Sequence, residues 1–205
     1  MLRGSIARLG LLNLALALVA GSAMAQSAPP TRVRGVVEKL DGNALAVKAR
    51  EGNVVTIKLA EPIAVTGVVK ASLSDVTVGN FVGIAALPQP DGSLKAVEVL
   101  IFPEAARGTG EGHYAWDLLP ESTMTNATVA ETVAAVGGQT LTLKYKDGEK
   151  KITVPPEAPV VTFGPGDASL LKPGAAVFVP TRKEADGTLG AARVLVGRDG
   201  VVPPM

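Results

Sequence analysis

Apolar and polar residues alternate almost one for one along most of this chain. In ALAVKA (Ala44–Ala49) and TLTLKY (Thr140–Tyr145) every second side chain falls on the same face, the two-residue period of a strand with one buried side. These runs are short and end at pairs suited to tight hairpins. Asp41-Gly42-Asn43, Asp91-Gly92 and Asp186-Gly187 supply residues that accept the positive φ such turns demand. Adjacent valines at 36–37, 54–55 and 68–69 add β-branched side chains that favour a pleated surface. Helical periodicity is nearly absent beyond residue 25, and the pattern predicts only single turns at Ala71–Asp75 and Asp167–Leu171.

The pattern occurs twice. VVEKLDGNALAVKAREGNVVTIKLAEP, from Val36, aligns with VAAVGGQTLTLKYKDGEKKITVPPEA, from Val133, and matches Gly42 to Gly138, Leu45 to Leu141 and Lys48 to Lys144. Further on, Gly79 matches Gly174, Val82 matches Val177, the turn Asp91-Gly92 matches Asp186-Gly187, and Val99 matches Val194. This is an internal duplication, with one copy at residues 31–103, a second at 127–202, and a connector at 104–126 between them. Each copy reads as five or six short strands, and a sheet that small exposes its edges unless it closes. The expected fold is therefore all-β: two tandem small antiparallel β-barrels of OB-like type, one per copy, with a sandwich shared between the copies as the alternative. Each barrel would have a small core, so docking of the pair adds burial that neither achieves alone.

Residues 1–25 have a different character. Arg3 and Arg8 precede an apolar core from Leu9 to Ala20, and Ala23-Met24-Ala25 places small residues at a cleavage site, the layout of a secretory signal peptide. The core falls short of the roughly 20 residues a spanning helix needs. The expected product is periplasmic or secreted and does not span a membrane once the segment is removed. Loss of Arg3 and Arg8 takes the chain from 20 basic and 19 acidic residues to 18 and 19. That balance argues against broad attraction to nucleic acid or anionic membranes. With no cysteine, disulfides, thiolate metal sites and a thiol nucleophile are excluded, and apolar burial must hold the fold.

Within the first copy, Leu73-Ser74-Asp75-Val76-Thr77-Val78-Gly79-Asn80-Phe81-Val82 follows strand–Asp-Gly–strand units. It resembles the L-x-D-(hydrophobic)-x-x-G-x-x-V step of the exported bacterial family called domain of unknown function 5666. The second copy's version is Leu171-Lys172-Pro173-Gly174-Ala175-Ala176-Val177, without the Asp two residues after the leucine. The resemblance implies small β-barrels of no established activity and supplies no catalytic residues. The central block GTGEGHYAWDLLPESTMTNATV also looks like a hallmark of alphaproteobacterial exported proteins sometimes labelled metal ABC transporter permeases. A permease needs several spanning helices, and the leader core is the one such apolar stretch in this sequence, so the label is not supported.

The central block gathers the only histidine and tryptophan, His113 and Trp116, beside Tyr114, one of two tyrosines. Glu111, His113 and Asp117 are the candidate metal ligands, because histidine among carboxylates suits zinc or another divalent ion. His113, Asp117 and Ser122 are the residue types of a hydrolytic triad but lack a strand–elbow–helix setting. Neither an enzyme activity nor a resident cofactor is expected. An extended connector would put Tyr114, Trp116 and Leu118 on one side, where aromatic area would clamp the barrels together. Asn126-Ala127-Thr128 matches a glycosylation sequon, read as chance. Nucleic acid is not expected as a partner, since Phe81, Phe102, Phe163 and Phe178 lie in core-like strand settings and the basic residues are interspersed with acids. These observations point to a non-enzymatic binding or adaptor protein of the bacterial envelope, offering loops or an inter-barrel groove to an envelope protein, peptide or small ligand. The alternative is a periplasmic metal-binding protein using Glu111, His113 and Asp117.

Overall fold

The computed structural model describes residues 31–205, so the expected signal peptide lies outside the described residues. The elements are β1 (Thr31–Asp41), β2 (Ala44–Ala49), β3 (Val54–Lys70), β4 (Phe81–Pro88), β5 (Leu94–Ile101), β6 (Gly112–Ala115), β7 (Thr123–Ala135), β8 (Gly138–Tyr145), β9 (Gly148–Val154), β10 (Val160–Gly164), β11 (Ala176–Lys183) and β12 (Leu189–Gly197). Single 3-10 turns lie at Leu73–Asp75, Glu104–Ala106 and Ala168–Leu170. Two of these fall where the sequence predicts isolated turns. Each begins at a side-chain cap: Ser72 accepts from the Ser74 amide, and Asp167 accepts from the Ser169 amide.

The strands close into two five-membered rings. In the first, β11 pairs with β1, β1 with β2, β2 with β3, β3 with β12, and β12 returns to β11. In the second, β4 pairs with β7, β7 with β8, β8 with β9, β9 with β5, and β5 returns to β4. Both are Greek-key barrels of the OB-like kind, mainly antiparallel and each closed by one parallel pair, β3–β12 or β5–β9. Closure leaves no free edge on either ring.

The composition of the rings corrects the expected domain boundaries. Residues 31–103 do not form one barrel and 127–202 the other. The first ring takes β1–β3 from copy one and β11–β12 from copy two, and the second takes β7–β9 from copy two and β4–β5 from copy one. Each copy therefore builds three strands of one barrel, crosses over, and completes its neighbour. The exchange is possible because the two closing hairpins carry the same pattern: Val82 and Val99 of one match Val177 and Val194 of the other, and all four are buried.

The crossing point is the centre of the molecule. The second half of β3 and β10 are equivalent segments of the two copies, and they pair antiparallel, Val161 opposite Lys70 and Gly164 opposite Gly67. β10 also pairs in parallel with β5, as β3 does with β12. An approximate two-fold relation thus places like against like. Each barrel has its own core, with Val37, Leu45, Ile57 and Val179 in the first and Ile84, Val99, Leu141 and Ile152 in the second. A third cluster, Val68, Leu100, Val161, Phe178 and Leu195, lies where the barrels meet. Each such side chain contributes about 1.5–3 kcal/mol relative to exposure, so the junction is held much as a core is.

Candidate functional site

The connector is a hairpin that reaches from the second barrel to the first. Arg107 pairs with Glu104 through Nε and Nη2, at 2.6 and 2.7 Å, and donates from Nη2 to the Gly79 carbonyl at 2.8 Å, which anchors the start. β6 then pairs with the beginning of β7, His113 opposite Thr125 and Tyr114 opposite Met124. Its tip is knotted by Ser122, whose single hydroxyl hydrogen is shared between the Trp116 and Leu119 carbonyls, at 3.0 and 2.8 Å, while its oxygen accepts from the Leu119 amide. Asn126 holds the loop from below, its Nδ2 donating to the Thr109 carbonyl and the Tyr114 hydroxyl. That amide is buried and engaged, which disposes of the glycosylation sequon in the folded chain.

The tip docks on the first barrel through residues placed by strand parity. In TRVRGVV, Val33 and Val37 face the barrel interior, so Arg32 and Arg34 face out. Arg34 donates to Asp117 at 2.7 Å, and Arg32 lies 3.4 Å from the same carboxylate. Partial burial raises the Asp117 carboxyl, but the hydrogen bond from Arg34 and the two positive charges outweigh it and hold it below the ordinary value. Arg50 donates to the Leu118 carbonyl at 3.1 Å. The Arg32 guanidinium lies 4.0 Å from the Trp116 ring centroid, and Trp116 packs on the junction cluster, edge-on to Tyr114 at 6.0 Å. Trp116 sits between the barrels, Leu118 is half-buried beside it, and Tyr114, 36 % exposed, packs against Trp116 and Asn126 and joins none of the core clusters.

The three candidate metal ligands are not brought together. Glu111 accepts from the Lys146 amide at 3.0 Å, on the β8–β9 hairpin. His113 Nδ1 lies 2.8 Å from the Thr125 hydroxyl, and desolvation, helped by the charge of Lys150, lowers its pKa. Asp117 is turned to the first barrel's arginines. Among the described residues no group of three or more histidines and acids is placed to hold a metal ion. β6 ends at Ala115 and the chain turns before Asp117, so the three do not share one side of an extended strand. The same placements separate His113, Asp117 and Ser122.

A different acid stands out. Glu98 lies on β5 in the run LKAVEVLI, where a register shift beside Ala85 and Ala86 turns Ala96 and Val99 into the barrel and Glu98 outward, toward the junction. The first barrel and the tip of the connector cover it, leaving it 1 % exposed. Neither carboxyl oxygen has a hydrogen-bond partner among the described residues. Desolvation drives its pKa up to about 8, against the opposing charge of Arg34. Its equivalent in the second copy is Arg193, which is exposed, so the approximate symmetry is broken at this position. Strand alternation marks the face Glu98 occupies and does not show that another barrel covers it. A lone acid amid AVEVL was the available signal.

Glu98 lines a groove between the barrels with a volume of about 580 Å³. Arg34, Val36, Lys48 and Arg50 of the first barrel form one wall, and Val97 and Glu98 of the second form the floor. Leu118 and Leu119 of the connector tip and Val202, Pro203 and Pro204 close the remaining sides. The Met205 carbonyl accepts from Arg34 Nε and fixes that last segment beside it. The volume is that of an ordinary small-molecule site, mostly apolar with a few polar groups. A smaller hollow of about 320 Å³ beside Lys95 and Glu157 contains no buried unpartnered polar group.

Fold and site together define an all-β protein of two strand-exchanged barrels with a groove at their junction. No family model, curated protein or solved structure matches the chain.

Proposed function

We propose that this chain is an exported, non-enzymatic binding protein of the bacterial envelope that receives a small ligand in the inter-barrel groove. The leader pattern of residues 1–25 supports export, and the likeness of Leu73–Val82 to exported bacterial barrels of unknown function points the same way. The observation that carries the binding reading is Glu98. A buried carboxyl without a partner costs about 1–3 kcal/mol or more, and buried polar groups are nearly always satisfied. A ligand group that hydrogen-bonds Glu98 gives this cost a purpose, in a cavity of suitable size. Packing alone would be served better by leucine at this place.

Protein-observed NMR with mixtures of small fragments tests the reading. Binders are expected to shift resonances of Val97, Glu98, Leu118 and Val202 together. Binders that all map elsewhere, or none at all, would overturn it.

A further inference from the structure

The groove's chemistry narrows what it would hold. Of its charged lining residues, Arg34, Lys48 and Arg50 are basic, and Glu98 is the one acid. Arg34 spends Nη2 on Asp117 and Nε on the Met205 carbonyl, so Nη1 is the guanidinium nitrogen left over. Its ion-pair partner is Asp117, and the Glu98 oxygens remain unbonded although Arg34 is the charge they sense. The acid and the cationic donor therefore line one groove without bonding each other. Every other wall is aliphatic: Val36, Val97, Leu118, Leu119, Val202 and Pro203.

We propose that the groove takes a small, chiefly apolar monocarboxylate, its body on the aliphatic walls and its head group held between Glu98 and Arg34. This rests on the reading of the groove as a ligand site and names the class of ligand. Uncharged Glu98 donates its one O–H to a ligand carboxylate oxygen, a charge-assisted bond, while Arg34 offers N–H to the same head group. Lys48, exposed at the rim, adds attraction for an anion. A protonated amine would satisfy Glu98 equally well in isolation but would have to enter among three cations. A polyanion such as a phosphate ester would set a second charge against aliphatic walls. The charged groups that line the groove with Glu98 are Arg34 on β1 and Lys48 and Arg50 on and just after β2, of which Arg34 is the charge Glu98 senses; the connector tip and residues 202–204 bring no titratable side chain to the groove.

Calorimetric titration of the processed full chain with octanoate, octylammonium and octanol, three probes sharing one apolar body, tests the inference. At about pH 6.5 octanoate is expected to bind, octanol at least roughly tenfold more weakly, and octylammonium not measurably. Glu98→Gln keeps a donor and retains binding, whereas Glu98→Leu loses at least roughly tenfold. Lys48→Glu weakens octanoate by several-fold, an effect that shrinks with added salt. Between about pH 6.5 and about pH 9.5, on either side of the value of about 8 for Glu98, octanoate affinity falls in the parent and stays level in Glu98→Gln. Binding of octylammonium at the groove as tight as octanoate would overturn the carboxylate assignment while leaving a ligand site in place. Failure of all three probes overturns it as well, and the fragment mapping then decides whether the groove binds anything.

Discussion

Replacing Glu98 with glutamine should remove a pH dependence of folding stability that the parent protein carries. In the unfolded chain the carboxyl titrates at its ordinary value of 4.5; in the fold, burial raises it to about 8. Between those values the folded state holds a proton that the unfolded state has released, so stability falls as pH rises. The contribution is fully present below the unfolded value and is lost by the time pH has passed the folded one. At about 1.36 kcal/mol per pH unit, the whole window is worth roughly 5 kcal/mol, a large share of the 5–15 kcal/mol typical of a domain. Exposure of 1 % means little solvent screening to discount. Asp91, Glu104, Asp117, Asp167 and Asp186 all have lowered values, so their contributions disappear on the acid side and leave this window alone. His113 is lowered too and adds stability as pH rises toward its unfolded value, but it does so equally in parent and variant. Urea unfolding followed by Trp116 fluorescence, at intervals from about pH 5 to about pH 9, gives both curves. The parent should lose several kcal/mol over that range relative to Glu98→Gln. Parallel curves would refute the assignment of Glu98 as a buried, unpartnered acid.

Three further outcomes test the architecture. Trp116→Ala should cost roughly 2–4 kcal/mol, below the full value for a wholly buried tryptophan because the ring is only partly covered; a calorimetric melting temperature equal to the parent's would contradict its place at the junction. Asp117→Asn should cost no more than about 1 kcal/mol, since the carboxylate is 46 % exposed, yet hydrogen exchange should rise at residues 116–122 as the connector tip loosens from Arg32 and Arg34. The strand exchange predicts that cysteines at Val36 and Ala176, register partners on β1 and β11, form an intramolecular disulfide in a chain that otherwise has no cysteine. If each copy closed its own barrel these positions would lie in different barrels, and mass spectrometry would find both thiols free.

The two halves of the candidate site differ in how far the sequence announced them. Trp116 is a large aromatic in the one segment outside both copies, which in the sequence suggests a packing role, and in the fold it lies against the junction cluster. Glu111, His113 and Asp117 are close along the chain, but a turn of the connector sends each to a different neighbour, which sequence proximity does not reveal. Glu98 went unmarked: its neighbours in sequence define only which side of β5 it occupies, and its burial comes from residues distant along the chain, Arg34, Val36 and Leu118 among them.

By itself the sequence determined the strands, the hairpin turns, the single turns near residues 73–75 and 168–170, and the duplication, since these follow from local period, turn chemistry and self-similarity. It did not determine which closing hairpin completes which barrel. β4–β5 and β11–β12 carry equivalent apolar faces, so either could pair with either three-stranded unit at similar local energy. The choice lies in long-range terms: the antiparallel pairing of the second half of β3 with β10, and the cluster of Val68, Leu100, Val161, Phe178 and Leu195 that forms around that crossing. The same crossing brings Glu98 under the first barrel. The groove and its unpartnered acid are therefore products of the tertiary fold, assembled from residues that no local pattern joins.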